Sequence, residues 1–423
     1  MEQKFERYWL IPLACLFVLL AEYSRYLTAT RLGALVFAPR NFLILGGLTL
    51  LVWALVVLFK KESRQKAGLW QLLLVPALLI GWTLLSLTWS HFPQTIPLAY
   101  EWLNGFVLVA LIGVAVRPSI GSKYVATALL VAVIGIVLIG LIEKLADTHL
   151  PLSNLHNPYR QQWAITSVFI GQNHLAASLG LLLPLLAGFG LAWNGLRRWL
   201  SLGTVAAGLV AVFFTGSSLT LLALALAALI FFIVALVRLP KYRSKLWLVA
   251  LAVALLIGLN WFVLPDSVRE RVSLATIGVR QSFDARWTLV QEGIRVIKLQ
   301  PWRGLGPGAS SQLVTAELPG QPTLHALHNL SLEFVVTFGL IAAFVTAIWL
   351  VWIVVRVARR LAGPGQRWPT TGILASLAAL LSIQAVPSTF EGVRAPFIVL
   401  GFALALALRP RPVAQKKVVV VQS

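Results

Sequence analysis

Residues 265–329 read PDSVRERVSLATIGVRQSFDARWTLVQEGIRVIKLQPWRGLGPGASSQLVTAELPGQPTLHALHN and form the only long, mostly polar segment of the chain. Apolar runs long enough to cross a bilayer as helices lie on both sides of it. The pattern predicts a cationic loop that a helical bundle holds at a membrane face, which suits chemistry on an anionic, lipid-linked substrate. Its cationic side chains are Arg269, Arg271, Arg280, Arg286, Arg295, Lys298 and Arg303, and it ends in the paired histidines His325 and His328.

The composition is that of a polytopic membrane protein. Of the 423 residues, 59% are hydrophobic and only 12% are charged, which is more apolar surface than a soluble protein of this size needs. The single cysteine, Cys15, excludes an internal disulfide framework and a cysteine-ligated metal site. A net charge of +21 would suggest nucleic-acid binding in a soluble protein. The distribution of the charges along the chain has to decide whether they serve nucleic-acid binding or membrane topology.

The apolar runs predict an all-α protein with about twelve transmembrane helices. Lys and Arg flank these runs unevenly, with 22 on the side of the N-terminus and 13 on the other side. The positive-inside rule therefore places both termini in the cytoplasm and turns the 265–329 loop outward. We expect helices 1–9 in residues 1–264, a catalytic loop in residues 265–329, and helices 10–12 with a cytoplasmic tail in residues 330–423. The runs cover residues 9–21, 41–59, 69–87, 100–116, 124–142, 172–193, 200–214, 219–237, 246–264, 330–355, 371–386 and 395–408.

The middle of the loop predicts a helix that Ser282 or Asp284 can cap and that Pro301 ends. Arg286 would lie in its first turn, where free backbone N–H groups favour an anion and the guanidinium fork suits phosphate oxygens. An interfacial helix whose arginines meet lipid headgroups is the alternative. An apolar stripe at three- and four-residue spacing would pack on the bundle or on the membrane interface; it consists of Trp287, Val290, Ile294 and Ile297.

Two motifs follow this helix. Residues 301–308, PWRGLGPG, predict a loop whose glycines permit positive φ or close backbone approach, and they lack the Gly-Lys-Ser/Thr ending of a P-loop. His325 and His328 are three residues apart and would share a helix face, but Glu333 is not in register with both, so a metal site is not expected. A structural role is the ordinary one for such histidines. The arginine-rich, membrane-adjacent setting favours a histidine general base instead.

These residues resemble a known family in their order and membrane setting. The motifs are Arg286-Trp287, the run 301–308, and His325-Ala-Leu-His328-Asn329-Leu-Ser-Leu-Glu333 leading into Phe338-Gly339-Leu340. Together they resemble the O-antigen ligase/polymerase superfamily, and the bacterial O-antigen ligases most. The resemblance covers the loop and its flanking helices best. It implies an inner-membrane glycosyltransferase of GT-C-like architecture that uses undecaprenyl-pyrophosphate-linked glycans on the periplasmic face.

The resemblance also implies roles for single residues. The family's essential histidine precedes an asparagine and falls on His328, the expected general base, and the loop arginine before a tryptophan falls on Arg286, expected to bind pyrophosphate. Many members carry an arginine after a Thr-x-Ser or Ser turn between two helices, where this chain has Ser218. Arg160 or another loop arginine would have to replace it. The other residues expected at the substrate are Arg160, Asn173, His174, Arg303, His325 and Asn329.

The implied reaction is a metal-independent, inverting transfer of a glycan to lipid A–core in lipopolysaccharide biosynthesis, without a cofactor. A polysaccharide polymerase or a protein O-oligosaccharyltransferase of the same superfamily is an alternative with the same chemistry. A transporter of lipid-linked glycans is an alternative of another class, because transporters place ionisable groups at the bilayer midplane. The spans here are nearly free of charge, although Glu101, Asn173 and His174 lie near helix ends.

Overall fold

In a computed structural model, the chain forms a bundle of helices. The structure describes residues 6–23, 39–58, 63–117, 119–156, 164–245, 247–248, 286–314, 327, 329–361, 366–383 and 393–409, and the regular elements among them are all helical. The helices are α1 (Ile11–Ala21), α2 (Pro39–Leu58), α3 (Ser63–Ser86), α4 (Thr95–Val116), α5 (Ser119–Ala146), α6 (Gln172–Ala192), α7 (Leu196–Thr215), α8 (Ser218–Arg238), α9 (residues 286–297), α10 (Ala309–Leu313), α11 (Leu330–Ala358), α12 (Arg367–Ile383) and α13 (Ala395–Leu408). Short π- or 3-10-helical turns cover Glu6–Leu10, Asn154–His156 and Pro240–Tyr242.

Six of the described helices are long and apolar enough to cross a membrane, namely α4 to α8 and α11. Shorter apolar helices cover much of α1, α2, α3 and α13, and the whole is consistent with a polytopic membrane protein. A helix lies at eleven of the predicted apolar runs, and several begin earlier than their run because polar residues extend their first turns. The predicted run 246–264 lies outside the described residues except for 247 and 248, which are helical.

Two helices, α4 and α6, lie at the centre of the bundle. Helix α4 contacts α1, α2, α3, α5 and α13, while α6 contacts α5, α7, α8, α12 and α13. Small residues let the helices approach closely, as in other membrane bundles. A Cβ placed on Gly188 of α6 would lie 2.8 Å from the Cα of Gly372 in α12, and one on Gly105 of α4 would lie 2.3 Å from the Phe397 ring of α13. Close backbone approach therefore sets the crossing of α6 and α12, whereas Gly105 leaves room on α4 for the Phe397 ring of α13.

A cluster of buried charges joins the ends of four helices. Arg394, directly before α13, pairs through its guanidinium with the Glu101 carboxylate of α4. Its backbone N–H donates to the carboxylate of Glu22, which follows α1, at 3.1 Å, and the Ser178 hydroxyl of α6 donates to that carboxylate at 3.2 Å. Buried charges persist when they are paired and hydrogen-bonded in this way. Glu101 thus has a structural partner.

Helix α11 breaks at Gly339, where φ is 78° and ψ is 175°. Residues 301–306 run beside the break and bond to it: Leu305 N–H donates to the Val336 carbonyl at 2.8 Å, and Leu340 N–H donates to the Pro301 carbonyl at 2.8 Å. We call the paired segments, residues 301–308 and 336–341, the glycine clasp. The predicted role of the 301–308 glycines is confirmed, since Gly304, Gly306 and Gly308 all have positive φ.

Replacing Gly339 with alanine is expected to destabilise the protein. A Cβ there would lie 2.2 Å from the Trp302 carbonyl oxygen and 2.5 Å from the Gly304 nitrogen, and the positive φ adds strain, so we expect a loss of at least about 1–3 kcal/mol in the free energy of unfolding. Thermal unfolding of the purified protein in detergent measures it. Gly47→Ala is the matched control, because nothing lies within 4 Å of a Cβ at that position. Equal stability of the two variants would contradict the conclusion that the pairing in the glycine clasp requires glycine at position 339.

Candidate active site

A small hydrophobic core, separate from that of the bundle, joins α9, the glycine clasp and the first turns of α11. Its packing is tight at Gly293, where an added Cβ would be 2.9 Å from the side chain of Leu327. Gly293 follows Arg286 by two helical turns, or about 10 Å along the helix axis. The core therefore fixes the helix of Arg286 against the residue that precedes His328. Its buried members are Leu289, Val296, Ala309, Val314, Leu327 and Val336.

The face that α9 buries is only partly the predicted stripe. Trp287 and Ile294 of that stripe are 56% and 45% exposed, so these two do not pack on the bundle, and the other expectation for the stripe, packing on the membrane interface, stays a prediction. The buried face runs through Leu289, Gly293 and Val296, because the missing side chain at position 293 admits Leu327. The helix ends at residue 297, before Pro301 as predicted.

Arg286 is half-buried at the start of the described part of α9. Burial lowers the pKa of its guanidinium from the ordinary value, but the group remains cationic because that value lies so far above neutrality. Partial desolvation strengthens its attraction for an anion. Among the described residues, Arg286 forms no ion pair with a carboxylate. The predicted capping residues, Ser282 and Asp284, lie outside the described part of the chain.

The glycine clasp is also hydrogen-bonded to the connection between α3 and α4. The hydroxyls of Ser90 and Thr95 donate to the Pro307 carbonyl at 2.9 and 3.1 Å. Arg303 lies in the same loop, with its guanidinium 5.2 Å from the centroid of the Trp89 ring. This cation–π contact orients an exposed cation without neutralising it. Arg303 is therefore available to a ligand at this end of the bundle.

The sequence pattern did not indicate which residues of the helical bundle donate hydrogen bonds to the glycine clasp. Besides the two hydroxyls, they include Trp82, whose indole N–H donates to the Phe338 carbonyl at 3.0 Å next to the break in α11. Nothing in the local pattern of α3 marks this residue, because its partner is 256 positions away. The available signal was Phe338-Gly339 itself, a glycine inside an otherwise apolar helix.

Asn329 is the N-cap of α11. Its side-chain oxygen accepts a hydrogen bond from the Leu332 N–H at 3.1 Å, as N-cap asparagines do. His325, His328 and Arg160 lie outside the described residues, so their predicted roles remain predictions. Among the residues that the structure does describe, no three His, Cys, Asp or Glu side chains form a group that could hold a metal ion.

Asn173 and His174 lie half-buried in the first turn of α6. A Cβ on Gly171 would approach Nδ2 of Asn154 to 3.1 Å and Nδ1 of His174 to 3.4 Å, and Asn154 N–H donates to the Ile170 carbonyl at 2.7 Å. This turn therefore packs against the 3-10 turn at Asn154–His156, inside the loop between α5 and α6.

The tight turn predicted between α7 and α8 is present. Gly216 adopts φ 70°, Ser217 N–H donates to the Thr215 hydroxyl at 3.3 Å, and the Ser217 and Thr220 hydroxyls are 3.0 Å apart. These bonds satisfy the turn locally. Ser218 begins α8 and is exposed, so this turn supplies no cation where many family members carry an arginine.

An apolar cavity of about 340 Å³ extends along α11, bounded also by α3, α4, α12 and α13. It is lined near the start of α11 by Leu330 and Ser331, and further along that helix by Trp349 and Leu350. Aromatic rings of Trp102 and Phe397 form part of its wall. A cavity of this size and character fits part of a hydrocarbon chain better than a polar ligand.

Comparison with known proteins identifies the region that contains this site. Residues 203–347, about a third of the chain, match the family model described as O-Antigen ligase. The match begins in α7, includes the Thr215–Ser218 turn, Arg286 and the glycine clasp, and ends in α11. No curated protein sequence matches the chain significantly. The family match confirms the predicted resemblance of this region to the O-antigen ligase superfamily.

Proposed function

We propose that the chain is an inner-membrane glycosyltransferase that moves a glycan from undecaprenyl pyrophosphate to a lipid A–core acceptor on the periplasmic face. The observation that carries the proposal is the contact between Gly293 and Leu327 inside the family-matched region. It brings the helix of the half-buried Arg286 against the segment that contains His328. A cation for the pyrophosphate and a base for the acceptor are the two groups that this transfer needs.

In the proposed mechanism, His328 takes the proton of the acceptor hydroxyl as its oxygen attacks the anomeric carbon of the donor sugar. The bond from that carbon to the pyrophosphate oxygen breaks on the opposite side, so the configuration inverts. Arg286 binds the pyrophosphate and offsets the charge that grows on it, and Arg303 assists. Asn329 contributes by capping α11 directly after His328. No step requires a metal ion or another cofactor.

The cavity along α11 supports a lipid-linked donor. Its lining begins at Leu330 and Ser331, which follow the His328-Asn329 motif in sequence, and continues among apolar side chains. A polyprenyl chain in this cavity would hold its pyrophosphate near the start of α11. The proposal thus assigns the lipid and the headgroup to adjoining parts of one site.

The alternatives differ in what they require. A polymerase or a protein O-oligosaccharyltransferase of the superfamily would use the same residues with another acceptor. A transporter of lipid-linked glycans would need ionisable groups free to act within the bundle. The pairing of Glu101 with Arg394 supports a structural role for the acidic residue that suggested transport, and it favours the enzyme.

His328→Ala is expected to abolish the attachment of O-antigen, because the acceptor hydroxyl loses its base. A deletion strain complemented with this variant should show no O-antigen ladder on a lipopolysaccharide gel, while lipid-linked polymer accumulates. Wild-type complementation should restore the ladder. A core band carrying one repeat unit in the deletion strain would identify a polymerase instead, and a full ladder from His328→Ala would rule out His328 as the base.

Arg286 should matter for its fork-shaped guanidinium as well as for its charge. We expect Arg286→Ala to lower kcat/KM by about 100-fold, and Arg286→Lys to restore only part of it, because lysine keeps the charge but loses bidentate phosphate binding. Transfer by the purified protein measures both. Lys298→Ala, which removes an exposed cation just beyond α9, is the control. Equal losses at positions 286 and 298 would point to a general electrostatic effect.

A further inference from the structure

Glu143, near the end of α5, is a buried carboxylate with four donors. The backbone N–H groups of Thr166 and Ser167 donate to one oxygen at 2.8 and 2.6 Å. The Thr166 hydroxyl donates to the other oxygen at 3.0 Å, and the Nδ1 atom of His149 lies 2.7 Å from that same oxygen. Since three other protein donors already point at this carboxylate, we assign the Nδ1–H of His149 as the fourth donor.

This arrangement fixes the orientation and the tautomer of His149. With Nδ1–H donating to Glu143, a neutral ring has Nε2 as a hydrogen-bond acceptor on its opposite edge. The Glu143 side chain is 2% exposed, whereas that of His149 is 16% exposed. In this pair a buried carboxylate orients a partly accessible imidazole. Enzymes use the same arrangement to orient a histidine toward a hydroxyl group.

A neighbouring histidine in the same loop is left with an acceptor as well. The Nε2 atom of His156 lies 3.0 Å from the Leu150 carbonyl, so Nε2 is the donor and Nδ1 is the acceptor of the neutral ring. The side chain of His156 is exposed. The His149 and His156 rings pack edge to face with centroids 5.9 Å apart.

We propose that His149 and His156 form a saccharide-binding subsite in the loop between α5 and α6, with His149 Nε2 accepting a hydrogen bond from a sugar hydroxyl. The two histidines share one property: the protein uses one ring nitrogen of each as a donor and leaves the other as an acceptor, which complements a ligand rich in hydroxyl donors. The Asn154–His156 turn packs against the start of α6, which bears Asn173 and His174. The inference rests on the proposed glycan transfer for the choice of saccharide.

Two substitutions of His149 separate this role from a structural one. Asparagine places its amide nitrogen where Nδ1 lies, so His149→Asn keeps the bond to Glu143 and loses the outer acceptor. Glutamine reaches the position of Nε2, so His149→Gln keeps an outer acceptor and loses the bond to Glu143. Thr148→Ala, at an exposed neighbouring position, is the control for disturbance of the loop.

We expect His149→Asn to raise one KM by about 3- to 10-fold, the effect of one hydrogen bond, with kcat nearly unchanged. His149→Gln should raise the same KM by less than His149→Asn does, because it keeps the outer acceptor. The assay uses the full chain in nanodiscs, with the undecaprenyl-pyrophosphate-linked glycan and the lipid A–core acceptor varied in turn. The KM that rises identifies the substrate whose sugar is bound. The opposite ranking, equal losses in both variants, or no effect of either would overturn the proposal.

A second measurement keeps the subsite distinguishable from the transfer reaction. Binding of the free O-antigen oligosaccharide and of the core oligosaccharide to the purified chain, followed by saturation-transfer NMR, requires no catalysis. If wild type transfers no glycan, the proposed function fails, but binding that His149→Asn weakens and His149→Gln retains would still support the subsite. If wild type transfers glycan and neither oligosaccharide binding nor KM depends on His149, the subsite alone is wrong.

Discussion

The backbone pairing between residues 301–306 and the break in α11 is the constraint on which the outer part of the structure depends. A break in an apolar helix frees N–H and carbonyl groups that lipid cannot satisfy, so protein must supply their partners. Leu305, Gly306 and Leu340 make these bonds. Both paired segments need glycine. A Cβ on Gly304 would lie 2.4 Å from the Thr337 carbonyl oxygen, and one on Gly339 would lie 2.2 Å from the Trp302 carbonyl oxygen. The loop is thereby positioned by backbone contacts, which tolerate little displacement.

This constraint carries over to the candidate active site. The clasp is bonded through Pro307 to the corner between α3 and α4, and its flanking residues share the small core of α9 and α11. Helices in a bilayer gain little from apolar attraction, so packing and hydrogen bonds must hold them. The helix of Arg286 and the N-cap at Asn329 are consequently set relative to each other before any substrate arrives, which is the condition for electrostatic preorganisation.

Sequence periodicity predicted most of the helices because long apolar runs leave few alternatives in a membrane protein. It did not decide the buried face of α9, where Trp287 and Ile294 fit a helical stripe as well as Leu289 and Val296 do. The choice between them depends on Leu327, which lies far along the chain. The pairing of Glu143 with His149 was missed for a similar reason, since the backbone donors of Thr166 and Ser167 come from the far end of the loop between α5 and α6. Local spacing indicates which residues share a face but not which face finds a partner.

The partners of the buried carboxylates and of the loop arginines indicate which charge the substrate should carry. The buried carboxylates Glu22 and Glu143 are held largely by backbone N–H groups and hydroxyls. Arg286 and Arg303 pair with no carboxylate among the described residues, although carboxylates lie elsewhere in the same bundle. A protein that used its arginines for internal ion pairs would have to break them to bind a pyrophosphate. Here the acidic groups are satisfied without these two cations, so the positive charges of Arg286 and Arg303 are available to the anionic, lipid-linked donor that we propose.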